Sequence, residues 1–158
     1  MSVSKLVAGI IFNVVFYGLL LFVPAGTLHW WRAWLFLAVT VAVMATAIFS
    51  MFPDNAGLFS ERARGVIQKG QPLWDRVLVI LLVVSFVGQI IFIPLDAFRF
   101  HLLPKPGVLV SVFGLILYIV GWWIMTLALK TNPFAVTVVR LQQERHQRVI
   151  DTGIYAVV

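Results

Sequence analysis

The sequence predicts an all-α fold: a polytopic membrane helix bundle with four transmembrane helices and a C-terminal cytoplasmic amphipathic connector. Three observations predict it. Of 158 residues, 61% are hydrophobic and only 11% charged, which is more apolar surface than a soluble domain of this size buries, so the excess faces lipid. Four apolar runs, at 6–23, 33–52, 77–95 and 108–129, are each close to the length that crosses a bilayer. The basic residues collect in alternate connections between these runs rather than on one soluble face.

The first run carries Asn13 as its one strongly polar interruption, and Pro24 with Gly26 is expected to end it. It is too long for a signal peptide and lacks a small-x-small cleavage site, so it reads as an uncleaved span. His29, Trp30, Trp31, Arg32 and Trp34 then mark a water interface, where an indole buries its rings and keeps its N–H wet. In the second run Ala38, Ala42, Thr46 and Ser50 recur every fourth position. Such a stripe predicts a close-packing helix face.

Residues 53–76 mix charge with glycine and proline and read as a loop, with a short interfacial helix expected around 58–67. The third run contains Gln89, read as an interhelical hydrogen-bonding group, and Pro94 with Asp96 is expected to close it. In the fourth, Ser111, Gly114, Tyr118, Gly121 and Met125 share a face by steps of three and four. Trp122 and Trp123 lie well inside this span, where they either fill bulk or line a cavity.

Charge sets the expected orientation. One side of the membrane would hold Lys5, Arg62, Arg64, Lys69, Arg76, Lys130, Arg140, Arg145 and Arg148, the other only Arg32, Arg99 and Lys105. The positive-inside rule then places both termini in the cytoplasm. The net charge of +6 does not point to nucleic acid, because the basic residues flank apolar spans. The absence of cysteine removes disulfides, thiolate metal sites and a cysteine nucleophile. His29, His101 and His146 fall in separate loops, which argues against a shared metal.

Residues 130–158 are where chemistry concentrates. Asn132-Pro133 is expected to break the fourth helix at the bilayer surface. Phe134, Val136, Val138 and Val139 hold the next segment at the interface, and Gln142 through Arg148 turn it polar. Asp151-Thr152-Gly153 reads as a turn whose Asp or Thr oxygen caps a helical segment near Ile154. On these grounds alone the tail is an amphipathic connector that returns to the membrane.

The residues also resemble a known pattern. Asn132-Pro133-Phe134, a valine-rich segment, and then Gln147-Arg148-Val149-Ile150-Asp151-Thr152-Gly153-Ile154-Tyr155 look like the cofactor-binding region of the isoprenylcysteine carboxyl methyltransferase family, membrane enzymes related to the phospholipid methyltransferases. Upstream, the His29–Trp34 interface, Glu61-Arg62, Trp74-Asp75-Arg76 and Leu95-Asp96 are similar to bacterial members, so the resemblance spans nearly the whole chain. Two departures are Arg140, where relatives commonly carry glutamine, and Gln147, where eukaryotic members often carry histidine.

The resemblance implies an S-adenosylmethionine-dependent methyltransferase of the bacterial inner membrane, yielding S-adenosylhomocysteine. Its acceptor would be a lipid or another amphiphilic small molecule, with a carboxylate favoured, and membrane lipids are the surroundings. Gln147, Arg148, Val149, Ile150, Gly153 and Tyr155 would form the cofactor site. Each has a plainer reading beside this one: Tyr155 as an interfacial anchor, Arg148 as an inside-facing charge, Gly153 as a tight turn. In the family an Arg-His-Pro-x-Tyr motif follows the Gly-x-Tyr turn almost at once, and the sequence stops at Val157-Val158. The expectation is therefore one membrane domain, 1–158, from the N-terminal part of a longer protein, catalytically incomplete by itself, with catalytic residues beyond Val158. The other class left open is a non-catalytic four-span protein that acts as a packing or assembly partner.

Overall fold

A computed structural model describes residues 3–51, 56–62, 65, 67–68, 70–135, 138 and 149–156. The described regular structure is helical: α1 (Val3–Ala25), α2 (Trp31–Met51), the short α3 (Ala56–Arg62), α4 (Leu73–Leu95) continued by a π-helical turn (Asp96–Phe100), α5 (Val108–Thr131), and a one-turn 3-10 helix (Gly153–Tyr155). Four of these helices are long and apolar enough to cross a membrane. The fold class is thus all-α with four candidate spans, and the protein is a membrane protein.

The long helices form an open row in the order α4, α1, α2, α5, with α1 against both α4 and α2, and α2 against α5. The core cluster sits toward the end of the bundle opposite the N-terminus, where Leu21 and Phe22 of α1 meet Ala33 and Leu37 of α2 and Ile90 of α4. None of the α5 residues is buried. An aromatic chain holds α5 on the row: Tyr17 meets Phe36 edge-on at 6.4 Å, Phe36 meets Tyr118 at 5.1 Å, and Tyr118 meets Trp122 at 6.4 Å. Thr40, only 2% exposed, adds a 3.0 Å hydroxyl–hydroxyl bond to Tyr118. Tyr118→Phe is expected to cost about 0.6–1 kcal/mol in mixed-micelle unfolding. Thr40→Val should cost no more once Tyr118 is already Phe, and additive losses would rule the pair out as a coupled contact.

Several expectations need correcting. The stripe Ala38, Ala42, Thr46 and Ser50 is exposed, and the buried residues of α2 are Ala33, Leu37, Thr40, Ala47 and Met51. Ala42, Thr46 and Ser50 instead line a groove of about 390 Å³ against Trp122, Trp123 and Thr126 of α5. Gln89 is likewise exposed. Spacing identifies a face, but any face can meet lipid, so spacing alone does not say which one meets protein.

Helix ends agree in part. α1 closes at Ala25, between Pro24 and Gly26 as expected, where Gly26 at φ 69° donates to Phe22 O at 3.0 Å. α4 closes at Leu95, between Pro94 and Asp96 as expected, but the rod goes on as the π turn to Phe100 and reverses at His101, which adopts the left-handed conformation at φ 52°. Buried Asp96 receives the Leu102 and Leu103 amides at 2.7 and 3.3 Å, so its carboxylate caps the reversal that follows. Asp96→Ala is expected to destabilise this turn by about 2 kcal/mol, read as faster amide exchange at Leu102 and Leu103. Trp74, Asp75 and Arg76 fall inside the first turn of α4 rather than ahead of it, and the interfacial helix is shorter than expected.

Candidate functional site

The start of α1, the end of α2, α3 and the end of α5 meet at one end of the bundle, and the residues of interest lie there. Asn132 leaves the helix at φ −112°, ψ 97°, the extended conformation that a following proline imposes. Its amide still donates to Ala128 O at 2.9 Å, and its side-chain Oδ1 accepts the Phe134 amide at 2.9 Å. The Ala135 amide then closes back on Asn132 O at 3.2 Å. This tight reversal brings the Ala135 carbonyl to Arg62, whose Nη1 donates to it at 3.0 Å.

Arg62 is the last residue of α3, where a cation complements the helix dipole. Burial lowers its guanidinium below the ordinary arginine range. A cation whose folded value is lowered costs stability wherever it is protonated. The cost therefore stands at every working pH and is relieved only as pH rises into the arginine range. Arg62 lines a half-open cavity of about 310 Å³ between α1, α2, α3 and α5. Its walls include Leu6, Met51, Leu58, Trp122 and Met125, with Lys5 as a second cation and no acidic residue among the described residues. Trp122 is shared with the α2–α5 groove, so the interior tryptophans line cavities.

The 3-10 turn docks on the end of α5. Gly153 has φ 62°, and a Cβ there would lie 2.9 Å from Thr131 Oγ1 and 3.0 Å from its Cγ2. Glycine is needed twice over, for the dihedral and for the close approach. Neither Asp151 nor Thr152 caps the turn with its side chain. Thr152 caps it with its carbonyl, which accepts the Tyr155 amide at 3.2 Å. Ile150 and Tyr155 are half-buried and Val149 is 90% exposed. Gln147 and Arg148 lie outside the described residues, as does most of the expected connector, 136–148, apart from buried Val138. The cavity beside Arg62 takes no lining residue from 149–156.

Arg62 is the functional candidate that site-by-site reading of the tail passed over. The signal was present in Glu61-Arg62 as part of the family resemblance, but the bond to Ala135 spans 73 positions. Compared with protein-family models, curated proteins and solved structures, the chain matches none.

Proposed function

We propose that this protein is an S-adenosylmethionine-dependent membrane methyltransferase acting on a lipid-borne or amphiphilic acceptor, a carboxylate by preference. The observation that carries this reading is the half-buried Arg62 guanidinium, which lines a largely apolar cavity and is bonded to the carbonyl just past Asn132-Pro133-Phe134.

The cofactor supplies a methyl group on a positively charged sulfur, which leaves readily. A carboxylate nucleophile attacking it needs no general base, only alignment, exclusion of water and a cation to hold it. Arg62 offers a planar set of donors for that carboxylate, and Lys5 adds charge on the same cavity. Leu6, Met51, Leu58 and Met125 make the surroundings dry and suit the apolar part of the acceptor. The Gly153 turn, seated on Thr131 with Tyr155 half-buried, fits one wall of a cofactor site at the same end of the bundle. Gln147, Arg148, Val149 and Ile150 belong to that wall in this reading.

The test is to irradiate the protein in its own membranes with methyl-labelled S-adenosylmethionine and map the crosslinked peptide. Label within 147–155 is expected, and label confined to other segments rejects the assignment. Orientation is tested separately. The chain has no cysteine, so Ala156→Cys and Leu102→Cys each report one side to a membrane-impermeant maleimide. With both termini in the cytoplasm of a bacterial cell, Leu102→Cys labels in intact cells and Ala156→Cys labels only after permeabilisation. The reverse pattern overturns the cytoplasmic site.

A second reading, a non-catalytic assembly partner, is favoured by the open α2–α5 groove and by the unburied α5. It predicts no specific crosslink and a chain recovered with a second membrane helix in that groove.

A further inference from the structure

A second and larger cavity, about 630 Å³, opens at the end of the bundle opposite the chain termini. Its walls come from the first turn of α2, the π turn, the 101–106 connection and Ser111 of α5. Two cations, Arg32 and Lys105, line it together with the His101 imidazole. Arg32 is half-buried. Its Nη1 donates to Pro106 O at 2.8 Å and its guanidinium lies 5.6 Å from the Trp31 ring centre, so it is held in place with one of its five N–H donors committed. Asp96, the one acidic lining residue among the described residues, has its two oxygens on the Leu102 and Leu103 amides. The cavity therefore presents net positive charge to whatever occupies it.

The cavity does not end at the cations. Trp31, Arg32 and Ser111 also head a groove of about 340 Å³ between α2 and α5, lined below them by Leu35, Val112 and Tyr118. From Ser111 to Tyr118 this is about 10 Å of helix. Trp30 and Trp31 at the mouth mark the headgroup level of the bilayer. A positively charged head pocket that continues into an apolar slot has the outline of one lipid molecule. A soluble anion would satisfy the cations and leave the slot without use. We propose that this end of the bundle binds one anionic glycerophospholipid, with its phosphate on Arg32 and Lys105 and an acyl chain in the groove lined by Leu35, Val112 and Tyr118.

The test is native mass spectrometry of the full chain released from nanodiscs made of equal parts phosphatidylglycerol and phosphatidylcholine. One phosphatidylglycerol is expected to remain bound in preference to phosphatidylcholine by about fivefold or more, the contribution of one basic residue to anionic-lipid binding. Lys105→Gln and Arg32→Gln should each lower that preference by about fivefold. Arg32 also tethers the 104–106 loop, whereas no hydrogen bond of Lys105 is found among the described residues, so Lys105→Gln separates lipid binding from folding. Gly114→Leu places a side chain in the groove, where the glycine has open space. It should reduce retention of the anionic lipid with both cations intact. Equal retention of the two lipids, a preference that survives both charge substitutions, or full displacement by millimolar inorganic phosphate would each overturn the proposal, the last by identifying a soluble-anion site.

Discussion

In the protein as the cell makes it, assayed in its own membranes, Arg62→Gln is expected to slow methyl transfer to a carboxylate-bearing lipid by about 100-fold, the usual loss when a preorganised donor is removed from a dry site. This expectation rests on the methyltransferase reading, but its structural half does not. Removing the guanidinium relieves a desolvated charge and at the same time strips the Ala135 carbonyl of its 3.0 Å donor. The two effects oppose, so stability in detergent should change by no more than about 1 kcal/mol. A large rate loss with near-wild-type unfolding therefore points to chemistry, and an unchanged rate removes Arg62 from it. Arg62→Lys keeps the charge without the planar fork, and should recover only part of the rate.

Gly153→Ala should undock the 3-10 turn from α5. Two costs combine: a left-handed dihedral at φ 62°, and a Cβ placed 2.9 Å from Thr131 Oγ1. Together they amount to about 2–4 kcal/mol of local stability. Limited proteolysis within 149–156 should then accelerate by about 30-fold or more. Thr131→Ala in the same chain removes the nearest atoms but leaves the dihedral strain, so it should restore part of the protection. Unaltered cleavage in the single variant would mean that the turn is not seated on Thr131. On the methyltransferase reading, crosslinking of the cofactor to 147–155 falls in parallel with docking.

Residues 130–135 and 149–156 show how far local chemistry reaches. Asn132-Pro133 ends α5 as the sequence implies, because proline constrains its neighbour whatever surrounds it. A turn at Gly153 was equally legible. Its cap was not, since a side-chain oxygen and a backbone carbonyl compete for the same amide and only the final geometry selects the carbonyl. Arg62 illustrates a different gap. Its importance comes from Ala135, Lys5 and a cavity that α3 forms with α1, α2 and α5, and these partners outside α3 lie away from it in sequence.

The number of spans, their approximate limits and the helical class were set by the sequence itself. Length and hydropathy act residue by residue, and a backbone in lipid must satisfy its own hydrogen bonds, which leaves helix as the local solution. The neighbours of each helix were decided only in three dimensions. The row α4, α1, α2, α5 and the exposure of the Ala38–Ser50 stripe depend on contacts between distant segments, and the π turn after α4 packs on α1. The physical reason is that lipid tails are as apolar as leucine. Hydrophobicity drives each helix into the bilayer but does not rank its faces, and shape, aromatic contacts and a few polar bonds choose among them.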